Sequence, residues 1–535
     1  MKRNRFKLFA PIALSIVLVI SCTNLEIEET DSNFPEETGG GFSGVGDPAS
    51  QVDGLYNDLN GHFGDQANYF ALTEVSTDEQ LVPTRGTDWG DNGIWRTLHQ
   101  HTWDASHQYI LTTWNQFNQN VFRASEVIET TTTTAEVKAQ AQFIRGLSMW
   151  VIMDLFGQVP FREVDEGPEI NPRVLSRSEA LDFVVTDLEA AIAGLPSAAA
   201  PSSEDNARAS KAAARFLLAR VLLNKHIYNG SGTPDSADMN SVISLVDQIA
   251  AEGYELQEGY FDIFRESGDT ETIWYLPTSV GNRIFNGLHY NSTELSGGGW
   301  NGFSTLAEFY DMFEGDANSN RGELDGTPLD GQEERRGWVP SAGTPFTGAE
   351  GTKDDNSDGY EDGSNVGLGF LIGQQYKPNG EILKDRPGNN LAFTKEFPGL
   401  VGNNERTGIR VQKYAARYGE FLSHEIIFRY ADAHLMKAEA MMRSGGDPTA
   451  MVNELRTLRG ATPLGTVSEA DLLAERGREL YVEFVRRNDM IRFGQFTRDW
   501  EFKDPGSVGD ETKLLFPIPN TALLSNPNLV QNPGY

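Results

Sequence analysis

The chain has 535 residues and a single cysteine, Cys22. An intrachain disulfide is therefore excluded, and the body of the protein carries no thiol. Cations are scarce as well. Lys and Arg number 44 against 77 Asp and Glu, and the formal net charge is −33. Such a field disfavours nucleic acid and anionic membrane surfaces as partners, and an uncharged ligand suits it better. Long apolar runs are missing too, apart from Phe9 to Ile20, "FAPIALSIVLVI". That run is shorter than the ~20 residues a spanning helix needs. No phosphate loop, HExxH pair or nucleophile elbow occurs in the sequence.

What is present begins at the N-terminus. Lys2, Arg3, Arg5 and Lys7 precede the apolar run, and Ser21-Cys22 follow it. This is the layout of a secretory leader. Val19-Ile20-Ser21-Cys22 resembles a bacterial lipobox, in which the cysteine sulfur is acylated and becomes the first residue. The resemblance implies a signal peptide over residues 1–21 and lipidation of Cys22. One acyl chain holds only marginally, at ~0.8 kcal/mol per buried CH₂, so lasting attachment takes several. The acidic, Gly-rich stretch that follows has neither helical nor strand period. It predicts a solvated tether over 22–50. Its Glu26, Glu28 and Glu29 resemble the surface-export signal of Bacteroidetes-type lipoproteins.

The remaining ~500 residues exceed the usual single-core limit of ~250–300, so two lobes or a repeat-like helical scaffold are expected. Helical patterning dominates residues 51–267 and 421–535. Helices are predicted over Thr134–Leu155, along the stripe Leu181, Val184, Leu188, Ile192, and after Ser210 as N-cap. Further helices are predicted from Glu425 to Gly446, across "PTAMVNELRTLRGATP", and from Ser468 to Phe493, where Ser468 and Asp471 are spaced as a capping box. Between 268 and 420 Gly, Asn, Asp and Pro take over, with short strands at Thr272–Leu276 and Gly408–Tyr414. Such segments are long functional loops more often than domains. The expectation is a mostly α protein. Irregular tetratricopeptide-type helix pairs form its scaffold, beside a long loop-rich segment with short strands.

Four stretches carry a resemblance. In "FIRGLSMWVIMDLFGQVPF" the matching residues are Arg145, Asp154, Leu155, Phe156, Gly157, Val159 and Pro160. "RYADAHLMKAEAMMRSGGDPTAMVNELRTLRG" contributes Arg429, Tyr430, Ala431, Glu439, Asn453, Arg456 and Arg459. "ERGRELYVEFVRRNDMIRFG" contributes Glu475, Arg476, Glu479, Glu483, Arg487, Asp489 and Arg492. The fourth is the terminus, "LFPIPNTALLSNPNLVQNPGY", whose Pro and Asn content predicts an irregular wrap over the helices. In this order, with the lipobox, they resemble the SusD/RagB family of outer-membrane glycan-binding lipoproteins. The resemblance implies a SusD-like fold and capture of a polysaccharide or oligosaccharide at the surface of the outer membrane. It also implies delivery to a SusC-like TonB-dependent transporter, without catalysis and with no required cofactor. Read from spacing alone, Arg476, Glu479, Glu483, Arg486 and Arg487 are ion-pair ladders between packed helices.

A glycan site needs flat aromatic platforms with a polar rim. Trp89 lies in a Gly- and Asp-rich loop with no apolar period, and Trp300 follows three glycines. These two are the main ligand candidates, with Tyr290, Arg410, Asp65 and Arg85 as further contacts and His289 weaker still. Trp95, Trp114 and Trp150 read as core. "DDNSDGYED" sets Asp354, Asn356, Asp358 and Asp362 at calcium-loop spacing, a possible structural Ca²⁺ site. Asn365 stands where an EF-hand requires Glu, so a true EF-hand is not expected. Two rival classes are a glycoside hydrolase or lyase, which needs a defined carboxylate pair, and a helical-repeat scaffold that binds peptide.

Overall fold

The computed structural model describes residues 41–197, 201, 204–264, 268–292, 298–322, 329–340, 366–416 and 422–535. Cys22, the leader, most of the tether and the 354–362 acidic loop lie outside the described residues.

Capping side chains set the starts of several of the longer helices. Asp47 accepts from Ser50 N–H and Pro48 occupies the first turn of α1 (Pro48–Gly64). The helix thus begins inside the expected 22–50 tether. Short α2 (Asn68–Phe70) and α3 (Ile94–Gln100) lead to α4 (Gln108–Glu129). Thr134 caps α5 (Ala135–Phe156), which ends at Gly157 with φ +74°, a left-handed stop that glycine supplies without strain. Ser176 and Glu179 form a reciprocal capping box on α6 (Arg177–Gly194). Ser210 caps α7 (Lys211–Leu223), as its sequence predicts. Then come α8 (Lys225–Tyr228), α9 (Ser236–Ala250), α10 (Gly281–Gly287) and α11 (Ala307–Tyr310). The chain closes with α12 (Tyr430–Arg443), α13 (Thr449–Leu458), α14 (Glu469–Leu480), α15 (Arg486–Arg492) and α16 (Asn520–Ser525).

Sequential neighbours pack on one another: α4 on α5, α5 on α6, α6 on α7, α7 on α9 and α9 on α12. Only α4 and α5 are joined by a short turn, and α9 meets α12 across the whole loop-rich segment, so this is tetratricopeptide-style side-by-side stacking without a strict repeat. Residues Gly44–Tyr535 form one compact unit around one large apolar core and two smaller ones. The strands are minor. β1 (Gln158–Phe161) pairs antiparallel with β2 (Arg173–Ser176). β3 (Thr272–Leu276) pairs with β10 (Glu425–Arg429), joining the loop-rich segment to the C-terminal helices. β4 (Arg321–Gly322), β5 (Gly337–Pro340), β6 (Leu368–Leu371) and β9 (Arg410–Gln412) make a small mixed sheet, and β7 (Gly373–Gln374) pairs with β8 (Ala392–Phe393).

Three elements differ from expectation. Glu425–Arg429 is strand rather than the first turn of a helix. All five residues are buried, and the β-prone Ile426 and Phe428 pair with β3 on either side of a register shift at Ile427. The helix expected from Ser468 to Phe493 breaks between α14 and α15, where Val482 and Phe484 take φ of +62° and +66°. Tertiary contacts hold this break. Val482 N–H donates to the Glu79 carboxylate at 2.6 Å, and the Phe484 ring packs among Phe63, Tyr69 and Phe70. The C-terminal wrap is irregular as expected, except for α16. It is stitched down by Phe516 N–H to Leu155 O and by Asn532 to the carbonyls of Phe156 and Phe516.

The alternating charges are ion pairs between elements. Arg476 bonds Asp432 and Asp489, while Arg486 bonds Asp78. Glu479 collects Arg335, Arg429 and Arg459, and Glu483 pairs with Lys413 and Arg429. The guanidiniums of Arg335, Arg429 and Arg459 are fully buried. Removing one partner of such a pair leaves an uncompensated charge at a cost of ~3–5 kcal/mol.

Candidate functional site

Trp300 is half exposed, at 50 %. Its backbone is pinned at both ends: its N–H donates to Phe285 O at 2.6 Å, and its carbonyl accepts the Trp89 indole N–H at 2.7 Å. Two glycines make this presentation possible. A Cβ on Gly298 would lie 2.2 Å from Tyr290 O, and one on Gly299 would lie 2.0 Å from Leu288 O. Only backbone without side chains can approach that closely. The backbone that carries the indole is thus a fixed shelf, and little backbone ordering remains to be lost on binding.

Trp89 is half-buried. Its backbone is left-handed (φ +60°), and its ring meets Trp95 and Phe303 edge-on. It braces Trp300 from beside the shelf. Tyr290 completes the arc. Its hydroxyl donates to Asp88 at 2.5 Å, and the Arg386 guanidinium covers one face at 3.7 Å from the ring centre. Burial, then the bond to Asp88, pushes the Tyr290 phenol well above its ordinary range.

Arg386, absent from the sequence-based candidates, ties the rim together. It donates to Asp88 at 3.0 Å and to Glu405 at 2.5 Å, and its backbone N–H also reaches Glu405. His289 is buried and bonds the same carboxylate through Nε2 at 2.9 Å. Its Nδ1 accepts from Asn291 N–H, so the ring is neutral with its proton on Nε2. Burial pulls the His289 pKa down to about 4. The Tyr290 bond, with Arg386 assisting, holds the Asp88 carboxyl below its ordinary value. At Glu405 burial pushes upward, but hydrogen bonds from Arg386 and His289 prevail and hold it down. Both rim acids are therefore ionised, and neither is a proton donor for glycosidic cleavage.

Arg410 and Arg85, expected as ligand contacts, lie under the rim and do not reach solvent. Arg410 is 0 % and Arg85 3 % exposed. Arg410 donates to Asn301 Oδ1, Ser304 Oγ and the carbonyls of Glu405, Thr407 and Gly408. Arg85 donates to Ser304 Oγ, to the Thr407 hydroxyl and carbonyl, and to Asn404 O. These are loop-pinning bonds that spacing alone could not separate from ligand contacts. Asp65 closes the turn after α1, accepting from Ala67 N–H and Asn68 Nδ2. Trp95, Trp114 and Trp150 are core as expected, and Trp103 joins them, its N–H on the Tyr535 hydroxyl. Asp88 sits next to Trp89 in sequence and was findable. Arg386 and Glu405 carry no local signal. Among the described residues no cluster of three or more His, Cys, Asp or Glu could hold a metal ion, and no helix is long and apolar enough to cross a membrane.

The fold matches a known class. The family model described as SusD family matches residues 270–535, and one described as starch-binding, associating with outer membrane, matches 53–223. The chain belongs to the SusD/RagB family, whose members are carbohydrate-binding proteins and not enzymes. It is 26 % identical to the starch-binding protein SusD of Bacteroides thetaiotaomicron, across 100 % of both chains. Among solved structures, a SusD-like protein of Bacteroides fragilis superposes with a TM-score of 0.65 at 20 % identity, covering 92 % of this chain and 98 % of that one. Surface glycan-binding protein A of Bacteroides uniformis superposes with a TM-score of 0.63 at 19 % identity, covering 91 % and 98 %.

Proposed function

We propose that this protein captures a polysaccharide or oligosaccharide at the cell surface and passes it to a SusC-like TonB-dependent transporter. A lipid on Cys22 and a tether reaching α1 hold it at the outer membrane. Trp300, Tyr290 and Trp89 form the binding arc, and Arg386 and Asp88 form its polar rim. The observation that carries this reading is the exposed Trp300 indole, fixed on the Gly298–Gly299 shelf beside Tyr290. An apolar ring face stacks on the C–H face of a sugar, while the rim groups take its hydroxyls. The starch-binding relative and the glycan-binding structural neighbour support the same class of ligand.

The test uses protein lacking residues 1–22 in native gels cast with a panel of plant and algal polysaccharides. Retardation by at least one polymer is expected, with no release of reducing ends. Trp300→Ala should abolish the retardation and leave the circular dichroism unchanged. Equal retardation of that variant would refute the site.

A further inference from the structure

The −33 formal charge of the whole chain favours an uncharged glycan, but the charge balance at the arc runs the other way. Arg386 stacks on Tyr290, two more guanidiniums, those of Arg85 and Arg410, lie buried beneath the rim, and the rim carboxylates set against the three are those of Asp88 and Glu405. The neighbouring Arg406 is matched by Asp385 at 3.4 Å, and His289 is neutral. The local sum is one excess positive charge. Arg85 and Arg410 are buried cations whose described hydrogen bonds all go to carbonyl, hydroxyl and amide oxygens, and Ser304 Oγ accepts from both. The Arg85 Nε is buried and has no hydrogen-bond partner. Two like charges kept under a surface site without a carboxylate of their own are costly, and solvent screens them little. Above them the Arg386 side chain is 50 % exposed, and its described bonds come from Nε and one amino group. No described hydrogen bond uses the other amino group, so it remains a donor for ligand.

We propose that the arc takes an acidic glycan, one bearing uronate or sulfate groups, with Arg386 as the specificity-determining residue that meets the anion. Arg85 and Arg410 supply the positive field beneath it. This rests on the glycan-binding reading above. A guanidinium suits the task because it bonds a planar carboxylate or a sulfate through paired N–H groups and keeps its charge at every physiological pH. Its stacking on Tyr290 and its two carboxylate bonds hold it in place before ligand arrives.

Polygalacturonate, alginate and chondroitin sulfate serve as acidic probes, with amylopectin and laminarin as neutral ones, all in affinity gels with protein lacking residues 1–22. The wild type should be retained by at least one acidic polymer, and added salt should weaken that retention. Arg386→Gln should weaken it about tenfold or more, while Arg386→Lys recovers part of the loss. Retention by neutral polymers alone would overturn the acidic specificity and leave glycan capture standing. So would acidic retention that ignores both salt and Arg386→Gln. Retention by no polymer would overturn both readings.

Discussion

Glu479 of α14 offers the sharpest test of what holds the C-terminal part together. It is fully buried, and its carboxylate accepts from Arg429 at 2.8 Å, Arg459 at 3.0 and 3.2 Å, and Arg335 at 3.2 Å. Glu479→Gln keeps the shape, removes one charge and turns an N–H₂ toward three guanidiniums. An uncompensated buried charge costs ~3–5 kcal/mol. Unfolding entropy is ~2.1 cal/mol/K per residue. For the single compact unit of roughly 490 residues that gives about 1 kcal/mol per kelvin, so Tm should fall by about 3–5 °C. Scanning calorimetry measures this directly. The exposed pair Lys377–Glu381 is the control, and Glu381→Gln should leave Tm unchanged. Acidity supplies a second check. Burial opposes ionisation of Glu475, but Arg335, Arg478 and Arg456 prevail and hold its pKa down to about 2. Arg459, Arg429 and Arg335 depress Glu479 further. Depressed carboxylates stabilise the fold above their ordinary pKa of ~4.5 and lose that contribution as pH falls toward the folded value. The gap between wild type and Glu479→Gln should therefore close in acid. A neutral-pH Tm within about 1 °C of wild type would refute the reasoning and leave the network a matter of shape.

Other outcomes follow from the same structure. Glu74 and Glu79 are buried beside the α14–α15 break, and burial pushes Glu74 up to about 7. A raised carboxyl stabilises below its ordinary pKa and loses that contribution as pH rises through 7. Glu74→Gln should thus flatten the decline of Tm with rising pH, and an unchanged slope would remove the idea. Gly299→Ala places a Cβ 2.0 Å from Leu288 O, so the Trp300 shelf must shift; glycan retention should fall, and full retention would contradict the shelf's role. Cys22→Ser should abolish labelling by palmitate in cells, and persistent label would locate the anchor elsewhere.

Much of the helical frame was legible because local rules produce it. Thr134 and Ser210 cap where their side chains can reach free N–H groups, and Gly157 stops α5 because its backbone must turn left-handed. Glu425–Arg429 was misjudged because its apolar residues suit a helix or a buried strand equally, and only pairing with Thr272–Leu276 decides between them. The break at Val482 and Phe484 was invisible for a related reason. Its cause is the Glu79 carboxylate, 403 residues away. At the site, Trp300 could be singled out because three glycines beside a tryptophan are unusual in a core. Arg85 and Arg410 misled because an arginine reads alike on a rim and beneath one.

By itself the sequence determined the family, the helical scaffold, the aromatic-rich loops and the place of the single cysteine, since each rests on short-range spacing or on motif order. Only the tertiary structure decided the charge environment of the arc. Asp88, Tyr290 and Arg386 lie far apart along the chain, the first and third separated by 298 positions, yet with Glu405 they form one continuous hydrogen-bonded chain. Electrostatics depends on distance in space and on exclusion of water, and neither is written in the order of residues.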